Sequence, residues 1–266
     1  MSPVTSTFSA LQIPGSARVD QRVPKKLLMD NGAAAAADKR LIMEAIEEIQ
    51  WIAALKPHTI GVAEYRDTQR EYLEIAILAI TLRGAITPAS RTRLAELVHR
   101  AVPHPVLLLL HEGQTLGLSL AHKRWAHNEA GKVVLDGDLA WAWLSAAGDG
   151  RSVGEPAGDD GIVQDFLHSL ALVRQPQASL HALYQGWIDC VQSLQAARRS
   201  GSYKISATPE QAAARRQALA DCQRLEAEIA RLRSQAAKEK QIARQVELNL
   251  ALKRVQAELA AAQQLL

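Results

Sequence analysis

The sequence predicts an α+β fold, in which a mixed sheet with packed helices is followed by a C-terminal long helix or helical hairpin of coiled-coil type. Three observations carry this expectation. Residues 72–82 (YLEIAILAITL) form an apolar run rich in β-branched residues with little polar alternation, as expected of a central strand buried on both faces. Pro103-His104-Pro105 forces extended backbone into VLLLLHE, and Glu112-Gly113-Gln114 is short enough to turn the chain back into TLGLSLAH as a hairpin. Beyond Thr208, apolar residues recur at alternating spacings of four and three, the seam of a coiled coil.

Residues 1–17 mix Ser, Thr, Pro and Gly without period and are expected to be a mobile N-terminal lead-in. An α+β globular domain is expected over 18–197, a linker over 198–209 and a coiled-coil helical tail over 210–266. The domain opens with RVDQRVPKK, where Pro24 opposes a helix and four basic residues make an extended basic arm. Leu41, Ile42, Ala45, Ile46, Ile49, Ile52, Ala53 and Leu55 then fit one face of an amphipathic helix that Lys56-Pro57 ends.

Residues 60–65 alternate weakly and read as a strand, and 88–101 return to helical period with Leu94, Leu97 and Val98 inward. Residues 132–135 are a further edge-strand candidate, while the environment of Trp141 and Trp143 is left open. The acidic, Gly-rich stretch 147–161 is expected as a flexible surface loop, because its carboxylates would repel a phosphate. Two helices, 162–173 and 179–197, flank Gln175-Pro176, and ARRSGSYKISATP supplies the polar linker.

The tail starts with a capping signature: the Thr208 hydroxyl as N-cap, Pro209 at the first helical position, Glu210 near the positive helix end, and Gln211 for a capping box. Ala218, Cys222, Leu225, Ile229, Leu232 and Ala236 continue as the seam, and Cys222, Leu225, Ile229 and Leu232 are its candidate partner-binding residues. Lys238-Glu239-Lys240-Gln241 breaks the phase before Leu252, Val255, Leu259, Ala262 and Leu266 resume it, so one phase-shifted helix and a two-helix hairpin both fit.

Composition narrows the function classes. The formal net charge of +3 is too small to imply nucleic-acid binding by itself, but from Thr208 onward 10 Lys+Arg face 7 Asp+Glu, so the surplus lies in the tail. Cys190 and Cys222 sit among apolar helix positions as small hydrophobes, which suits a reducing compartment; a cytoplasmic location is the expectation. No apolar run approaches the roughly 20 residues of a membrane span.

Eight histidines invite a search for metal ligands, but His99, His104 and His111 are expected in a helix, a turn and a strand end, with no HExxH and no Cys partner. No GxSxG or P-loop is present, so no catalytic residue, cofactor or metal is assigned. The element order also resembles small restriction-type nuclease cores, which need an acidic residue and a Glu-x-Lys on adjacent strands. Glu74 is followed two positions on by Ala76 and Glu112 by Gln114, so neither supplies the lysine. Basic clusters remain: Arg18, Arg22, Lys25 and Lys26 in the arm, Lys238, Lys240 and Arg244 at the phase break, with Lys123-Arg124-Trp125 and Arg198-Arg199 between them. The arm and phase-break residues are candidate nonspecific phosphate contacts, with Lys240 and Arg244 sharing a helix face.

Four segments in order, RVDQRVPKKLLMDN, IQWIAALKPHTIGV, AVPHPVLLLL and KEKQIARQVELNLALKRVQAEL, resemble a bacterial family known as domain of unknown function 4391. Val23-Pro24-Lys25 stands where Ile-Pro-Lys is usual, His104 replaces an aromatic between two prolines, and Ile242-Ala243 replaces Phe-Asn, removing an amide side chain. The resemblance names no catalytic residue. It implies an accessory protein encoded alongside helicases and DNA methyltransferases of phage-defence or restriction-like systems. The expected function is therefore a non-catalytic adaptor that binds a helicase or methyltransferase partner or itself through the tail, with weak DNA contacts; a metal-dependent nuclease is the alternative.

Overall fold

The computed structural model describes residues 8–126, 132–145 and 159–266. They fall into two compact units, one within Met1–Gly154 and Val163–Val191 and the other within Glu155–Ile162 and Gln192–Leu266. The described part of the N-terminal lead-in is anchored in the first unit. Leu11, Ile13 and Ala17 are buried, and Ser16 Oγ donates to the Thr59 carbonyl at 2.9 Å. Residues 1–7 lie outside the described set, as does most of the acidic stretch 147–161.

The first unit is built on a six-stranded mixed sheet in the order β1-β2-β5-β6-β7-β8, with strands at Arg18–Arg22 (β1), Ile46–Leu55 (β2), Ile75–Leu82 (β5), Val106–Glu112 (β6), Thr115–Trp125 (β7) and Val133–Ser145 (β8). Two-residue strands Tyr65–Arg66 (β3) and Glu71–Tyr72 (β4) form a separate ladder. All neighbouring pairs in the main sheet are antiparallel except β5 and β6, which run parallel. A parallel pair needs a crossover, and helix α4 (Pro88–Ala101) provides it. Its Thr87 N-cap and Pro88 at the first position start it, and Leu94, Leu97 and Val98 are fully buried as the spacing predicts.

Three expectations are corrected. The basic arm is not extended throughout: β1 ends at Arg22, Pro24 caps helix α1 (Lys25–Gly32), and Lys25 and Lys26 occupy its first turn. The amphipathic helix of 38–55 is half helix and half strand, because α2 (Ala36–Ala45) stops at Ala45 and the chain continues as β2. Apolar spacings of three and four describe both halves, but β2 lies between β1 and β5, and ladder bonds from both sides select the strand. Likewise the strand expected over 60–65 is not formed as such: Ile60 ends a short helix α3 (Pro57–Ile60), and of that stretch only Tyr65 enters a strand, Tyr65–Arg66.

One sheet face carries Ala76, Leu78, Ile80, Val106, Leu108 and Leu110 against Leu28, Ile42, Leu94, Leu97 and Val98 of α1, α2 and α4. Gly32 makes this possible, since a Cβ there would stand 2.6 Å from the Leu97 carbonyl. Trp141 and Trp143 of β8 belong to the same face. Their rings stack with centroids 5.7 Å apart, and Trp143 covers Gly117, where any Cβ would meet the indole at 2.7 Å. The opposite face, with Ile75, Ile77, Leu107, Leu109, Leu118 and Leu120, is equally buried. Helices α5 (Asp159–Ser169) and α6 (Leu180–Ser200) follow. The buried stripe Leu180, Leu183, Tyr184, Trp187, Ile188 and Val191 brings α6 onto this second face, where Tyr184 Oη donates to the Val106 carbonyl at 2.7 Å and accepts from Ala121 N at 2.9 Å.

The unit boundary falls inside α6, between Val191 and Gln192. The second unit contains the end of α6 and helices α7 (Pro209–Lys238) and α8 (Ile242–Gln263). The helix starts at Thr208-Pro209 as expected, with the Thr208 hydroxyl accepting from Gln211 N at 3.3 Å, but the capping box is not closed, because Gln211 Oε1 accepts from Ala207 N at 3.0 Å and not from Thr208 N. Of the two tail arrangements left open, the chain adopts the hairpin, with α7 and α8 packed along one another. Glu239 makes the reversal: it is extended, and its Oε1 accepts the N–H of Lys240 at 2.8 Å and of Gln241 at 2.9 Å, which orders the turn just before α8. No helix among the described residues is long and apolar enough to cross a membrane.

Candidate functional site

A group of polar and titratable side chains in the first unit lies where β4, the end of β7 and the start of α6 converge. Tyr72 is fully buried, and its hydroxyl bonds His122 Nδ1. His122 Nε2 lies 2.7 Å from Gln185 Oε1, and Gln185 Nε2 donates to Asp189 Oδ1 at 2.8 Å. These contacts fix the proton positions. An amide that donates to a carboxylate presents its oxygen to the imidazole, so His122 carries its proton on Nε2 and accepts from Tyr72 on Nδ1. The four side chains form a directed chain from phenol to carboxylate.

Aromatic contacts complete the cluster. His181 stacks on His122 with centroids 5.1 Å apart and on Tyr65 at 4.8 Å, and meets Tyr72 edge-on at 4.9 Å. Burial holds the His122 pKa down to about 4 and lowers that of His181, so both rings are neutral near pH 7. Burial raises the Tyr72 and Tyr184 phenols well above their ordinary value. Beside the cluster, Arg70 and Arg124 share the carboxylate of Asp136. The arrangement therefore holds its protons at neutral pH and orders the junction of α6 with the sheet. Its one sequence-visible trace is the polar stripe His181, Gln185, Asp189 at successive four-residue steps along a helix, whereas Tyr72 and His122 come from distant strands.

The histidines weighed for metal binding are dispersed. His99 is buried in α4, its Nε2 3.0 Å from Ser119 Oγ and its pKa held down to about 3 by burial; burial likewise brings His111 to about 4. Among the described residues no group of three or more His, Cys, Asp or Glu is placed to hold a metal ion. The two carboxylates considered for a nuclease are neutralised and far apart. Glu74 pairs with Lys56 at 3.1 Å before β5, whereas Glu112 accepts from Ile86 N at 2.7 Å and pairs with Arg91 at the far end of β6. The parallel register Ala76–Val106 puts them about 25 Å apart along the strands.

The seven candidate DNA contacts divide between the units, with Arg18, Arg22, Lys25 and Lys26 in the first and Lys238, Lys240 and Arg244 in the second. Arg18 pairs with Asp20 at 3.9 Å and covers the Phe8 ring at 4.6 Å, and Arg22 faces Glu48 at 3.5 Å. Lys25 donates to the Ile46 carbonyl, and its pKa is lowered by burial and then by Arg83 and Arg22. Lys26, Lys238 and Lys240 are exposed and make no ion pair among the described residues. Arg244 sits 3.7 Å from Glu239. Lys240 precedes α8, so it does not share a helix face with Arg244.

Two other clusters are consumed by structure. Lys123 is buried, giving its N–H groups to the carbonyls of Val102 and His104, and Arg199, on the extended end of α6, pairs in two contacts with Glu226.

The seam residues Cys222, Leu225, Ile229 and Leu232 are buried by the chain's own packing. An apolar face remains elsewhere on the hairpin. Helix α8 turns Leu248, Leu252, Val255 and Leu259 to partly covered positions, but it has no buried residue, and Ile242, Val246 and Leu250 are 79%, 52% and 54% exposed.

The first unit is a layered α+β body with an ordered polar cluster, and the second carries a capped helical hairpin with a bare apolar stripe on α8. The chain belongs to the family described as Domain of unknown function (DUF4391), whose model matches residues 11–259. No curated protein and no solved structure matches it.

Proposed function

We propose that the protein is a non-catalytic accessory or adaptor of a helicase/methyltransferase-type phage-defence or restriction-like system, acting through its helical tail. The observation that carries the reading is the bare stripe Ile242, Val246 and Leu250 on a helix whose opposite side already packs. Monomeric proteins seldom leave a contiguous apolar row exposed on a regular element unless something covers it. The seam read from the sequence is occupied within the chain, so the association surface is moved to the outer side of α8. Capture of the helicase and methyltransferase products of neighbouring genes by the full-length protein tests this. Binding abolished by Leu250→Asp supports it, and equal capture by wild type and variant counts against it.

Weak, sequence-independent DNA contact is a second reading, supported by exposed Lys26, Lys238 and Lys240 without ion pairs among the described residues. Each phosphate neutralised contributes a log–log salt slope of about −0.9. The triple Ala variant should therefore flatten the slope by about one unit for each lysine that had been neutralising a phosphate, and an unchanged slope removes these lysines from the reading. The nuclease alternative draws no support from the placement of Glu74 and Glu112.

A further inference from the structure

We infer that the outer face of α8 pairs with the same face of a second copy of this chain, antiparallel, about a two-fold axis near Leu250. The inference rests on the reading of the tail as an association module and names the occupant of its bare stripe.

The stripe consists of Ile242, Val246 and Leu250, continued at helical spacing by Ala257 and Ala261. Its large residues lie in the N-terminal half and its small ones in the C-terminal half. Antiparallel pairing about Leu250 sets Ile242 against Ala257 and Leu250 against its own mate, so large meets small away from the axis. A parallel pair would set Ile242 on Ile242 and leave alanine on alanine.

The charges make the same selection. Glu247 and Arg254 flank the stripe on one side, both exposed, and neither has an ion pair among the described residues. They are two helical turns apart, about 10 Å along the axis, too far to reach one another within one helix. The axis that centres Leu250 brings Glu247 of each copy opposite Arg254 of the other, giving two reciprocal pairs, as an isologous interface requires. Parallel pairing would turn this flank to the other flank of the partner, so Glu247 and Arg254 would not meet across the interface. Lys253, which interrupts the stripe, comes opposite Val246, where its stem covers apolar surface and its ammonium reaches water on the flank away from Glu247.

The test is the mass of the full-length protein in solution, by light scattering on a sizing column. Wild type is expected at twice the chain mass, and Glu247→Arg and Arg254→Glu are each expected at the chain mass, because each variant opposes like charges twice. Mixing the two variants should restore the doubled mass, since every opposed pair is again unlike. That recovery also shows both are folded. Oxidation should cross-link Leu250→Cys between copies but not Ile242→Cys, whose mate lies about 24 Å away; Cys190 and Cys222 are buried and do not compete. A dimer that survives both charge reversals, or one that cross-links through Ile242→Cys, overturns the proposal. A wild-type monomer also overturns it. In that case, loss of helicase or methyltransferase capture on Leu250→Asp keeps the broader association reading, and unchanged capture removes both.

Discussion

Helices α6 and α8 are nearly equal in length, at 21 and 22 residues, yet the chain treats them oppositely. In α6 one stripe, from Leu180 to Val191, is buried and the facing stripe is polar, with Gln185 and Asp189 hydrogen-bonded and His181 stacked on His122. Helix α8 buries no residue, and its apolar positions are spread over two sides. A helix with one apolar side is complete once that side meets a sheet. A helix with two apolar sides carries more apolar surface than its own hairpin covers. The same comparison separates what holds the body together from what the tail offers outward.

The largest effect that would break this contrast lies in α6. Trp187 is fully buried and its Nε1 donates to the Leu170 carbonyl at 2.9 Å, so Trp187→Ala should cost about 3–5 kcal/mol in urea unfolding followed by circular dichroism. A loss below ~1 kcal/mol would mean that α6 is not the keystone of the second sheet face.

Next comes a pair of substitutions within the hairpin. Ile229→Ala removes a buried side chain and should cost about 2–4 kcal/mol, whereas Leu250→Ala, on the exposed stripe, should change the intrinsic stability of one chain by no more than ~0.5 kcal/mol. Measured at concentrations low enough to exclude association, equal losses would contradict the assignment of inner and outer sides.

The two helices also differ in how far they could be read from the sequence. The VLLLLHE hairpin, the helix at 88–101 and the Thr208 start were legible because each rests on local chemistry: a turn, a proline, a cap. Strand β2 was not, because Ile42, Ala45, Ile46 and Ile49 satisfy a helical spacing, and only its neighbours β1 and β5, placed by distant sequence, make it a strand. The polar cluster was hidden for the same reason, since Tyr72 and His122 are 50 residues apart and His122 and Gln185 are 63 apart. The seam in α7 was legible as apolar, but periodicity does not say whether an apolar row meets the same chain or another one.

A pH measurement sharpens the account of the body. Burial brings the Lys123 pKa down to about 7 from its ordinary 10.5. Between these values the folded protein has released the proton and the unfolded chain retains it, so the unfolded state binds more protons and stability rises with pH, by at most about 1.4 kcal/mol per pH unit. A neutral amine still has two N–H groups for its two carbonyl acceptors, Val102 and His104. Lys123→Met should flatten the slope over this window, and a slope unchanged in the variant would mean that folded Lys123 keeps its charge.

The smallest expected effect concerns how the tail begins. The Thr208 hydroxyl accepts from Gln211 N, with Pro209 in the position where its missing N–H costs nothing and Glu210 in the first turn beside the positive helix end. Thr208→Ala leaves one of the first-turn N–H groups to water and should lower stability by about 1 kcal/mol, while Thr208→Ser, which keeps the hydroxyl, should cost far less. Glu210 supplies an internal control, because the Thr208 side chain and the N-terminal backbone lower its pKa, backbone contribution first. Losing the hydroxyl should let that pKa rise toward its ordinary value, readable by NMR titration. If Thr208→Ala destabilises without moving the Glu210 titration, the loss comes from packing of Thr208 rather than from the cap.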